Sequence, residues 1–87
     1  MEGMRLSPER ASHLLYELCT KLGFCLAPDF NSMLANDPPA SVDAFTDAVL
    51  IAEGMNPQAE RHLRRQVREM VAKHFERAGL GRSERSR

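Results

Sequence analysis

Arg61, Arg64, Arg65 and Arg68 are the residues whose type and spacing bear most directly on chemistry. At about 100° per residue they share one arc of a helix, and a row of guanidinium groups there can serve phosphates, base edges or carboxylates. A solvated, salt-bridged helix face has the same pattern. The other reactive side chains are scattered. Cys19 and Cys25 are separated by neither a CxxC nor a zinc-knuckle spacing, and no nearby pair of histidines completes a tetrahedral set. No apolar leader occurs in MEGMRLSPER, so a reducing, cytoplasmic setting with free, packed thiols is expected. His13 and Glu17 stand four apart on a helix, within reach of one hydrogen bond. His62 lies beside the arginine row, and His74 falls in an apolar arc, where a partly buried histidine with a single partner is expected. No glycine-rich phosphate loop, HExxH or GxSxG is present. No catalytic residue, cofactor site or metal site is therefore expected, and the chain reads as a non-enzyme.

Helices must position these groups. The longest helical signal covers 57–78, with Asn56 as N-cap, Pro57 at the first position and Gly79 beyond the end. Leu63, Val67, Met70, Val71, His74 and Ala78 form its core stripe, with the arginines on the neighbouring arc and Phe75 further along that side. Glu60 with Arg64, and Glu69 with Lys73, stand in the favourable order for ion pairs along one helix. An earlier helix is expected over 8–22, from Ser7 and Pro8 to Gly23, burying Ala11, Leu14, Leu15, Leu18 and Leu22. Phe24-Cys25-Leu26 reads as an apolar connector tucked against the core. A short helix over 29–35 carries Phe30, Met33 and Leu34, and Pro38-Pro39 ends it. Ser41 caps a further helix over 42–53, whose core face is Val42, Phe45, Ala48, Val49 and Ala52. Leu50 and Ile51 point elsewhere, Ile51 close to Asp47.

The expected fold is all-α, a small single-domain bundle of three longer helices (8–22, 42–53, 57–78) and one short one (29–35). Residues 1–6 are expected to fray, 7–79 to form the helical domain, and 80–87 to be a mobile basic tail. No apolar run approaches the ~20 residues that span a membrane. With 87 residues and 43% apolar composition, the chain is one small domain with marginal stability. Twelve basic and twelve acidic residues cancel. Residues 1–54 hold eight acids and three bases, a balance of −5, and 55–87 hold nine bases and four acids, a balance of +5. Either the basic half meets a polyanion or the two halves attract each other within the fold.

The unit 42–78, with Gly54-Met55-Asn56-Pro57 at its centre, resembles a helix-turn-helix in outline. That resemblance implies nucleic-acid contact through Arg61, Arg64, Arg65 and Arg68. Two positions depart from the pattern: Leu50, where a small residue is wanted, and Glu60, where a buried Val or Ile is wanted. The favoured reading is a non-catalytic protein-interaction or regulatory module, acting on a protein partner or as a homodimer. Its surface would be Tyr16, Asp43, Asp47, Leu50 and Ile51, because the 42–53 helix has more apolar surface than one face can bury. Nucleic-acid binding is the alternative.

Overall fold

The computed structural model describes residues 5–80. Among these residues four α-helices run in the order α1 (Pro8–Glu17), α2 (Pro28–Asn36), α3 (Val42–Ala52) and α4 (Arg61–Arg77), with α1 continuing through a wider π turn at Leu18–Leu22. No strand occurs among the described residues. α1 packs on α2 and α3 on α4, and the two pairs meet chiefly where α1 and the π turn lie against α4. The expected start of fraying over 1–4, and the tail over 81–87, lie outside the described residues. Within them Arg5 pairs with Asp37, Leu6 is buried, and Leu80 packs against the core, so 5–6 and 80 are held to the domain rather than loose.

Local chemistry sets most helix ends. Ser7 Oγ accepts from the Arg10 N–H at 3.2 Å, and Ser41 Oγ from the Ala44 N–H at 3.0 Å, each satisfying a donor that a first turn leaves free. α3 closes with Met55 N–H donating to Leu50 O and Gly54 N–H to Ile51 O, both at 2.9 Å, in the pair of hydrogen bonds that a left-handed glycine permits. α4 ends the same way through Gly79 and Leu80. α1 uses a looser version. Phe24 N–H reaches back to Leu18 O at 3.0 Å and Gly23 N–H to Cys19 O at 3.1 Å, a ring one residue larger that accompanies the π turn.

The organising helix is shorter at its start than its sequence suggests. Asn56 Oδ1 accepts from Gln58 N–H at 2.9 Å, and Asn56 O from Ala59 and Glu60 N–H at 3.0 Å. Asn56 and Pro57 thus cap a separate turn, because an asparagine side chain bonding two residues on makes an Asx turn as readily as a helix cap. Glu60, at ψ 60°, interrupts the helical path, and α4 begins at Arg61. Residues 53–60 therefore form the α3–α4 connection, against the roughly 3–4 residues of a helix-turn-helix.

The core is Leu6, Ala11, Leu14, Leu15, Leu18, Phe24, Leu34, Ala35, Phe45, Val49, Leu50, Val67, Val71 and Phe75. Two helices present different faces from those expected. α3 buries Phe45, Thr46, Val49 and Leu50, leaving Val42, Ala48 and Ala52 half-buried. Thr46 is tolerated there because its hydroxyl donates to Val42 O at 2.8 Å. α4 turns Phe75 inward, onto the edge of Phe45, with ring centroids 6.5 Å apart and planes at 84°. Its half-buried flank is Leu63, Met70 and Ala78.

Candidate interaction surfaces

The rotation of α3 divides the expected interface. Leu50 is 0% exposed and belongs to the core, whereas Ile51 is 62% exposed. Tyr16 is 66% exposed but stands on α1 beside the two cysteines, whose surroundings are separate from those of Ile51. Ile51 instead joins Phe30 and Met33 of α2, which are 43% and 59% exposed. The three rim an apolar groove of about 260 Å³ floored by Leu34, Ala48 and Ala52. The groove exists because α2 and α3 scarcely touch each other. A short α2 can bury only one narrow seam, Leu34 and Ala35, against α1, which strands Phe30 and Met33 outside. That mismatch between three large apolar residues and one seam was the available sequence signal for them.

Asp43 and Asp47 face α4. Arg64 Nε donates to Asp47 Oδ1 at 2.9 Å and its Nη2 to Asp43 Oδ1 at 3.5 Å, while Arg68 Nε donates to the same Asp43 oxygen at 2.7 Å. The acidic and basic halves of the chain thus do attract each other within the fold. The hydrogen bond from Arg68, with the nearby Arg64 charge, holds the Asp43 carboxyl below its ordinary value. Arg64 answers to α3 rather than to Glu60, which lies outside the helix, so the expected Glu60–Arg64 pair does not form, and neither does Glu69–Lys73. Arg61 and Arg65 are exposed, with no ion pair among the described residues. All four arginines border one shallow surface, but two are already committed to aspartates.

A third cluster joins α1 to α4. His74, 4% exposed, places Nε2 2.9 Å from Glu17 Oε1, and His13 Nε2 lies 3.6 Å from Glu17 Oε2. The imidazoles of His13 and His74 meet edge to face at 5.6 Å. An ionised carboxylate only accepts, so His74 Nε2 carries the proton of that bond. The bond lowers the Glu17 carboxyl from its ordinary 4.5, outweighing the opposing effect of burial. A group depressed on folding adds stability above its unfolded value, and that stability is lost as pH falls through the folded value. Glu17→Gln is therefore expected to cost about 1–2 kcal/mol near neutrality. It should also flatten the loss of stability as pH falls below the carboxyl's ordinary 4.5. Urea melts on either side of that value check both effects, and an acid limb identical to wild type would contradict the linkage.

The cysteines depart furthest from expectation. Cys19 and Cys25 form a disulfide rather than free thiols. The π turn and left-handed Gly23 fold the chain back so that residue 25 returns over residue 19, a closure that sequence spacing does not reveal. Among the described residues no group of three or more His, Cys, Asp or Glu side chains could hold a metal ion. No helix among them is long and apolar enough to cross a membrane. No protein-family model, curated protein or solved structure matches this chain.

Proposed function

We propose that the chain is a non-catalytic interaction module whose α2–α3 groove receives a basic amphipathic helix of a protein partner. The observation that carries this reading is the gathering of Phe30, Met33 and Ile51 around one apolar groove. Three of the four large exposed apolar side chains of the described residues sit there together, and such patches mark binding sites more often than scattered residues do. The charge of the partner follows from the walls. α2 and α3 contain no Lys or Arg; Asp43 and Asp47 of α3 are turned to Arg64 and Arg68, which leaves Asp29 of α2 as their one carboxylate without an ion pair among the described residues. Asp29 stands one turn before Met33, so a carboxylate flanks the apolar contacts on the α2 wall. A helix laying its apolar face into the groove would place a flanking Lys or Arg beside it.

The test titrates labelled Leu/Lys and Leu/Glu amphipathic helical peptides, and a random DNA duplex, against the full chain. The Leu/Lys peptide is expected to bind and the Leu/Glu peptide not. Met33→Ala/Ile51→Ala should weaken binding about tenfold or more while leaving the fold intact. Equal affinity for both peptides, or indifference to the double variant, overturns the reading. Duplex binding that falls steeply with salt and disappears in Arg61→Glu/Arg65→Glu, without peptide binding, replaces it with nucleic-acid contact through α4. A dimer in sedimentation that Ile51→Lys dissociates would mean that the groove is filled by a second copy instead.

A further inference from the structure

We infer that the Cys19–Cys25 pair is a thiol–disulfide exchange site for small thiols and disulfides of glutathione size. Four observations support it, none involving the α2–α3 groove. The bond closes a loop of only six positions within one continuous stretch of chain, so it ties no two distant parts of the core together. Loop closure is the main way a disulfide stabilises in the chain-entropy picture, and short loops gain least. The core around it is complete without sulfur, since Leu15, Leu18 and Phe24 are buried whereas Cys19 is half-buried and Cys25 exposed. Exposed disulfides are the labile ones.

The site is also open to a reactant and suited to both redox states. An open concavity of about 460 Å³ borders both sulfurs, walled by Leu15, Tyr16, Leu26 and Asn31. The exposed Tyr16 ring and the Asn31 amide there offer a peptide-like thiol one flat contact and one polar one. Cys25 Sγ lies 3.7 Å from Cys19 O, so a carbonyl acceptor is near the Cys25 thiol once the bond opens and the sulfurs rotate apart. Exposure directs the order of events. A small thiolate attacks Cys25 Sγ, the S–S bond breaks, and its electron pair leaves on Cys19 Sγ, which takes a proton from solvent. A second thiolate then attacks the reagent's sulfur in the mixed disulfide, releasing Cys25 as thiolate. The net change is protein disulfide plus two thiols to protein dithiol plus one small disulfide, and the reverse oxidises the protein.

The experiment equilibrates the full chain with reduced and oxidised glutathione over a range of ratios, then alkylates it and reads its mass. The pair is expected to pass between dithiol and disulfide within that range, with the far-ultraviolet helical signal unchanged. Cys19→Ser should trap glutathione on Cys25 about tenfold faster than Cys25→Ser traps it on Cys19. Tyr16→Ala should slow exchange severalfold without shifting its midpoint. Loss of helicity on reduction would make the bond structural and overturn the inference. A pair that stays oxidised throughout, or that reacts no faster folded than in urea, would overturn it as well.

Discussion

Leu50→Lys is expected to leave the chain largely unfolded at 25 °C, whereas Ile51→Lys, one position on, folds normally. Leu50 is enclosed between helices with no exposed surface, so the variant loses a full leucine burial and must also place an ammonium group where no carboxylate waits. Together these cost about 5–10 kcal/mol. A domain of 87 residues has only about 5–10 kcal/mol in hand. Ile51 reaches solvent, and a lysine there would stand near the C-terminus of α3 and one turn after Asp47, both favourable for a cation. Its stability should stay within about 0.5 kcal/mol of wild type. Thermal melts of the two variants decide the matter. Equal losses would mean that α3 does not bury the face described.

The second large effect is at Phe45. Phe45→Ala is expected to cost about 3–5 kcal/mol, because it empties the largest fully buried side chain and removes the ring against which Phe75 packs edge to face. For a domain of this size that is a fall in Tm of about 15–30 °C. Phe45→Leu, which retains most of the volume, should cost less than half as much. A small loss in Phe45→Ala would show that α3 and α4 close over the gap.

Much of this fold was legible in the chain. Ser7-Pro8 and Ser41 announced two helix starts, Gly23 and Gly79 two ends, and the α1 leucines their own core face. These are local signals, set by side chains bonding to backbone a few residues away. The failures share a different cause. α3 is apolar around most of its circumference, so its sequence admits several buried faces, and only packing against α4 selects Leu50 over Ala52. Phe75 was drawn inward by Phe45, thirty positions earlier. Asn56 carries the same side-chain signal for an Asx turn as for a helix cap, and the choice fell to the turn. The disulfide depended on a π turn for which composition holds no sign. Of the candidate interface, exposure of Tyr16 and Ile51 followed from helical phase. The grouping of Ile51 with Phe30 and Met33 required knowing that α2 and α3 diverge.

That divergence has a consequence for how the molecule assembles. α1 with α2, and α3 with α4, are each two helices joined by a short stretch of chain, and each pair makes most of its contacts within itself. Contacts close in sequence need little loop closure before they stabilise anything, so each pair can form early, and proteins built this way fold in microseconds to milliseconds. The slow step left is the docking of one pair on the other. It is completed by α1 against α4, where the Glu17–His74 bond spans 57 positions of chain, the longest reach of any side-chain bond among the described residues.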